Sequence, residues 1–126
     1  MYPIRISVGE VTLPAELNDS PTARAVWDAL PLEGRASVWG DEVYFETPVE
    51  VAEAPDATTV VELGALAYWP LGRAFCVFYG PTPVSLQGEP RAYSPVNVIG
   101  RITGEVERLR GTPGGVTVRV IRAALA

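Results

Sequence analysis

Along the chain, apolar positions recur with two periods. Ile4, Ile6 and Val8 alternate with Arg5 and Ser7, the mark of a half-buried strand; Gly9-Glu10 breaks the run and residues 11–13 return, predicting an N-terminal hairpin. The period then lengthens. Ala23, Val26, Trp27 and Leu30 stand at i, i+3, i+4 and i+7, behind Ser20 as N-cap and Pro21 at the first helical position, so residues 21–30 form the main helix, ended by Pro31. After it the period shortens again. Residues 35–39 and 42–47 read as a hairpin about Gly40-Asp41, 52–59 as a loop, and 60–63 as the lead into the most apolar part of the chain.

That central part holds a strand at 64–69, a turn at Pro70-Leu71-Gly72, and a strand at 75–79 that stops at Gly80-Pro81. Residues 82–94 read as a long irregular connection and 96–102 as a further strand. Residues 105–110, with Val106 and Leu109 inward, form a second short helix or a strand, and Val116, Val118 and Val120 alternate in a last one. About eight short strands and one strong helix, with no strand–helix–strand rhythm, argue against a parallel sheet. The expected architecture is mainly β: a closed antiparallel barrel, its edges removed by closure, with the helix plugging one end.

The 126 residues suffice for one domain, taken as 1–126, and 48% hydrophobic residues with 20% charged ones describe a folded globular chain. Residues 1–63 carry 12 acids and 3 Arg, while 64–126 carry 3 acids and 7 Arg, so the halves differ in sign unless their strands interleave, which is the expected outcome. The net charge of −5 argues against a nucleic-acid partner. All ten basic residues are Arg. Without His the chain lacks the usual general base and the commonest metal ligand, and without Lys it lacks Schiff-base chemistry; neither a metal nor a cofactor is expected. The lone Cys76 forms no internal disulfide, and the N-terminus shows no signal-peptide core, which together imply a cytoplasmic setting; no apolar run is long enough to span a membrane as a helix.

The order of elements resembles the cyclophilin fold: a hairpin leads into a capped helix opening Ser20-Pro21-Thr22-Ala23, then come three central segments at 64–68, 72–78 and 97–102. The chain is more specifically similar to small prokaryotic cyclophilin-like proteins of unknown function, in residues 17–20, in Trp39-Gly-Asp-Glu-Val-Tyr-Phe45, in Phe78-Tyr-Gly-Pro-Thr-Pro83 and in 96–102. The resemblance implies a cyclophilin-like β-barrel. It does not carry the prolyl isomerase chemistry with it. The positions corresponding to the cyclophilin histidine, glutamine and pocket phenylalanine are Val96, Ala74 and Cys76, and Arg35 is the one candidate for the catalytic arginine.

Each candidate site residue carries a functional and a plainer reading. Cys76 stands at a pocket position by resemblance; as a residue it is a small buried apolar group with no His or Lys beside it. Trp39, Tyr44, Trp69, Phe78 and Tyr79 would line a groove for an apolar or aromatic ligand, or fill the core. Arg73, between a turn glycine and the central strand, is a fork for a carboxylate or phosphate, or a surface charge. Asn97 interrupts an apolar strand, so its amide needs partners, most simply within the protein. Glu42, Glu46 and Glu50 recur every four residues; this reads as a solvated strand face. Residues 80–83 are turn chemistry, without the Lys and helix of a phosphate loop. Three functional readings follow: a binding module for a small molecule or peptide segment without the isomerase residues, a divergent prolyl isomerase using Arg35, and a structural subunit forming a homodimer.

Overall fold

The computed structural model describes residues 1–123; the last three positions of the expected 1–126 domain lie outside them. The strands are β1 (Tyr2–Val8), β2 (Val11–Leu17), β3 (Leu32–Arg35), β4 (Ser37–Val38), β5 (Glu42–Glu46), β6 (Thr58–Val60), β7 (Ala65–Trp69), β8 (Ala74–Phe78), β9 (Arg91–Ile102) and β10 (Thr117–Arg122), with one α-helix, α1 (Pro21–Ala29). Short 3-10 turns cover Pro70–Gly72 and Val106–Leu109, the latter with Leu109 buried. Ten strands are thus described where about eight are expected: residues 32–35 form β3 ahead of the expected hairpin and the loop at 52–59 contributes to β6, while the connection at 82–94 yields its last residues to a longer β9.

All strand pairs are antiparallel, in the order β3-β10-β1-β2-β9-β7-β8-β5-β4, with β6 pairing onto β9. The expected closed barrel is not formed, because no hydrogen-bonded ladder among the described residues joins the two ends of this order. One segment, residues 32–38, crosses the seam. Residues of β3 bond to β10, and Ala36 still donates to Val116 O at 2.8 Å and accepts from Gly115 N at 2.8 Å. Only at Ser37 and Val38 does the chain pair with β5. No ladder among the described residues joins β3 to β5, and the two strands meet by packing, with Gly34 set against the Phe45 ring. The first arm of the expected 35–39 hairpin shrinks to two residues, Ser37 and Val38.

Ser20 caps α1, its Oγ accepting from Ala23 N at 3.2 Å, and Asn18 Oδ1 in turn accepts from Ser20 N at 3.0 Å. Leu30 leaves the helix in extended conformation ahead of Pro31. Ala23 and Val26 enter the main core, which Ile4, Ile6, Leu13, Leu17, Phe75, Ile99 and Val120 help to form. The two halves of the chain alternate across the sheet, and Arg101–Glu16 (3.0 Å), Arg73–Glu50 (2.5 Å) and Arg119–Glu33 (3.8 Å) pair bases of the second half with acids of the first. The opposed charges therefore interleave.

Candidate functional site: an aromatic cleft over the second face of the sheet

Side chains alternate across a strand, and in the centre of this sheet both faces are covered. Leu66 and Tyr68 of β7, Phe75 and Val77 of β8, and Val43 and Phe45 of β5 point to the main core. Their neighbours, Ala65 and Ala67, Ala74, Cys76 and Phe78, point the other way and pack with Val61, Ala92 and Val96 into a second apolar cluster. Tyr44 and Trp69 lie against it. This double burial is why the 74–79 run carries no alternating polar positions.

Above the second cluster opens a cleft of about 230 Å³, lined by Trp39, Glu42, Tyr44, Trp69, Ala92, Tyr93 and Val96. Four aromatic rings form a chain around it. Trp39 meets Tyr93 at 6.1 Å and 77°, Tyr93 meets Trp69 at 6.4 Å and 81°, and Trp69 meets Tyr44 at 6.3 Å and 79°. Each contact is edge to face, the arrangement that ring quadrupoles favour. Because successive rings stand nearly at right angles, they wall the cleft from more than one side.

Local sequence holds these walls in place. The Trp69 indole lies over Gly72, whose missing Cβ leaves room for the ring, and its Nε1 donates to Ser94 Oγ at 2.6 Å. Arg73 takes the left-handed conformation (φ 47°) that turns the chain into β8. On the other side, Asp41 N donates to Pro81 O and Tyr79 N to Asp41 O, both at 2.9 Å, so the turn between β4 and β5 is tied to the segment after β8. Gly80 is needed there because a Cβ would collide with the Asp41 side chain. Residues 39–45 and 78–83, separated by more than thirty positions, thus fold against each other and hold Trp39 and Glu42 at the cleft.

Among the described residues, Glu42 is the only acid lining this cleft. It is buried, 6% exposed, and takes part in none of the ion pairs among the described residues. Removal from water raises its pKa to about 7, an increase that contact with the Cys76 thiol moderates. Burial pushes the Cys76 thiol up in its turn, and the neighbouring Glu42 pushes it further. A carboxyl poised near neutrality in an apolar cleft can accept or release a proton, or counter a positive charge. Among the described residues there is no group of three or more His, Cys, Asp and Glu arranged to hold a metal ion.

Of the residues singled out from sequence, Tyr44 and Trp69 line the cleft, while Cys76 and Phe78 lie buried in the cluster beneath it. Trp39 joins the walls; Tyr79 turns to the main core. Arg35 lies elsewhere: it is exposed on β3, and its guanidinium donates to Gly115 O at 3.3 Å. Arg73 is at the hairpin end, paired with Glu50. Asn97 is buried and satisfied internally, accepting from Ala54 N (2.8 Å) and donating to Ala52 O (3.0 Å) and Thr22 Oγ1 (3.1 Å). The positions that the resemblance matches to the cyclophilin pocket, Ala74, Cys76 and Val96, all fall in the second cluster.

Sequence reading missed two wall residues. Glu46 and Glu50 are exposed, as a solvated strand face requires, but Glu42 is not. The signal for it was its place two residues before Tyr44, which puts both on one side of β5. Tyr93 was hidden inside an expected irregular connection that is in fact the start of β9.

The comparisons with known proteins agree with this geometry at the level of fold and family. A family model described as cyclophilin-like matches residues 2–121. The solution structure of the hypothetical protein AF2241 from Archaeoglobus fulgidus is 44% identical and superposes with a TM-score of 0.82, over 97% of this chain and 95% of that one. The structure of McbB in complex with tryptophan shares the fold at 21% identity and a TM-score of 0.72; 98% of this chain is covered but only 45% of McbB. No curated protein matches the chain. With the family model spanning nearly its whole length, the chain belongs to the cyclophilin-like family.

Proposed function

We propose that this protein is a small-molecule binding module whose ligand sits in the cleft between β5, β7 and the start of β9. The observation that carries the reading is Glu42: a buried carboxyl without an ion-pair partner among the described residues, opening onto walls of Trp39, Tyr44, Trp69 and Tyr93. Burying such a group costs folding free energy, and an apolar residue would serve the core better, so its presence suits a ligand and not packing. A mostly apolar cleft with one placed polar group is the usual form of a ligand site. At about 230 Å³ it falls below the roughly 300–1,000 Å³ of drug-sized sites, which fits a small metabolite or the end of a longer one. McbB, which contains this fold, binds tryptophan, in keeping with small-molecule binding as the class of function.

Saturation-transfer NMR with a mixture of soluble fragments tests the reading on the wild-type chain and on Trp69→Ala. Fragments that bind the wild type are expected to lose their signal in the variant. Equal signal in both, or no binding fragment at all, would overturn it.

A further inference from the structure

The cleft also indicates the charge of its occupant, an inference that rests on the reading of the cleft as a ligand site. We propose that it selects a small organic ammonium ion: a positively charged nitrogen on an apolar body, held among Trp39, Tyr44, Trp69 and Tyr93 and countered by Glu42.

Aromatic walls alone would suit any apolar ligand. Aromatic walls with a desolvated carboxyl suit a cation, because ring faces attract positive charge through their quadrupoles and a carboxylate in a low-dielectric cleft attracts it strongly. The surroundings of Glu42 supply no positive charge of their own. Tyr44 shares its strand, Asp41 precedes it in the turn, Cys76 and Tyr79 approach from β8 and its end, and Tyr93 faces it from β9. Each of these is neutral or acidic, and no arginine lines the cleft. An anionic ligand would meet Glu42 with no positive charge in the lining to offset it. A neutral ligand would leave the carboxyl either protonated or charged without a partner. An ammonium ion resolves both problems, and as it enters Glu42 gives up its proton to solvent. The raised pKa of Glu42 is the state expected of such a group before its cation arrives.

The test uses tryptamine and benzyltrimethylammonium as cations and tryptophol, with a hydroxyl in place of the ammonium, as the neutral counterpart of tryptamine. Titrations at pH 8 are followed by the indole N–H signals of Trp39 and Trp69. Both cations are expected to bind about tenfold or more tighter than tryptophol. Glu42→Gln should remove that advantage while leaving tryptophol binding intact. Tyr93→Ala, at a residue 71% exposed and outside the core, should weaken both cations without disturbing the fold. Lowering the pH from 8 to 5.5 should weaken tryptamine about tenfold or more, because the carboxyl must then be deprotonated against the solution. Tryptophol binding as tightly as tryptamine, or a full cation preference surviving Glu42→Gln, would overturn the ammonium assignment while leaving a small-molecule cleft. Failure of all three compounds, with no indole signal moved, would overturn the ammonium assignment; the cleft as a ligand site falls only if the fragment experiment is empty or gives equal signal in wild type and Trp69→Ala.

Discussion

Glu42 and Cys76 stand on adjacent antiparallel strands and emerge on the same face. Glu42 is opposite Phe78 and Cys76 opposite Tyr44, so the carboxyl and the thiol are diagonal neighbours beneath the aromatic walls. Burial disfavours the ionised form of both; Glu42 pushes the thiol up further, whereas the thiol's contact eases ionisation of Glu42.

Stability should therefore fall with rising pH on account of Glu42. Its pKa is raised from 4.5 to about 7 on folding, so between those values the folded chain holds a proton that the unfolded chain has lost. The contribution is full below pH 4.5 and gone above 7, and its size approaches about 3 kcal/mol. Urea unfolding of wild type and Glu42→Gln should give similar stabilities at pH 4.5, with the variant ahead by up to that amount at pH 8. A constant difference across the range would refute the assignment.

Cys76 should be inert in the folded protein. It is 1% exposed and its thiol resists ionisation. A thiol-specific reagent at pH 8 should label it only as fast as the chain unfolds, and at full rate in denaturant. Rapid labelling under native conditions would contradict the buried placement.

Asn97→Ala should destabilise the fold by about 2–4 kcal/mol, because it strands the Ala54 N–H and the Ala52 carbonyl and unties both from β9. Denaturant midpoints measure the loss. Retention of stability within a few tenths would mean that those groups find other partners.

Gly72→Val should displace the Trp69 indole, since a side chain there occupies the space of the ring. The expected cost is about 1–3 kcal/mol, with Trp69 fluorescence altered and cleft binding weakened. An unchanged emission spectrum would show that the ring has room to move.

Glu89 organises the connection before β9. Its carboxylate accepts from Leu86 N, Gln87 N and Arg91 Nε, and these bonds hold its pKa down at about 2. The stabilisation is present above pH 4.5 and is lost as pH falls through about 2. Amide exchange at Leu86 and Gln87 should stay slow to low pH in the wild type and quicken in Glu89→Ala at pH values above about 2, with the sheet unaffected.

Much of the fold was legible because its causes are local. Ser20 and Pro21 announce α1, Gly9-Glu10 the first hairpin, and the valines at 116, 118 and 120 the last strand. The cleft was legible only in part. Tyr44 and Trp69 declare themselves as large aromatics among apolar residues. Glu42 looks like its exposed neighbour Glu46, and what separates them is the cover that Trp39, Tyr93 and the second cluster provide from elsewhere in the chain. Arg35 shows the opposite case: resemblance suggested a groove position, and the pairing of β3 with β10 carries it away to the Gly115 turn.

By itself, then, the sequence determined an antiparallel, mainly β chain with one capped helix, whose centre is apolar on both faces, because period, caps and turn residues act over a few positions. Tertiary structure decided that the sheet stays open, since β3 and β5 are brought together from opposite ends of the strand order and meet by packing of Gly34 on the Phe45 ring, with no ladder between them among the described residues. It also decided that Glu42 is buried beneath four rings, because burial depends on strands brought together from residues 39, 69 and 93, and no local pattern records that meeting.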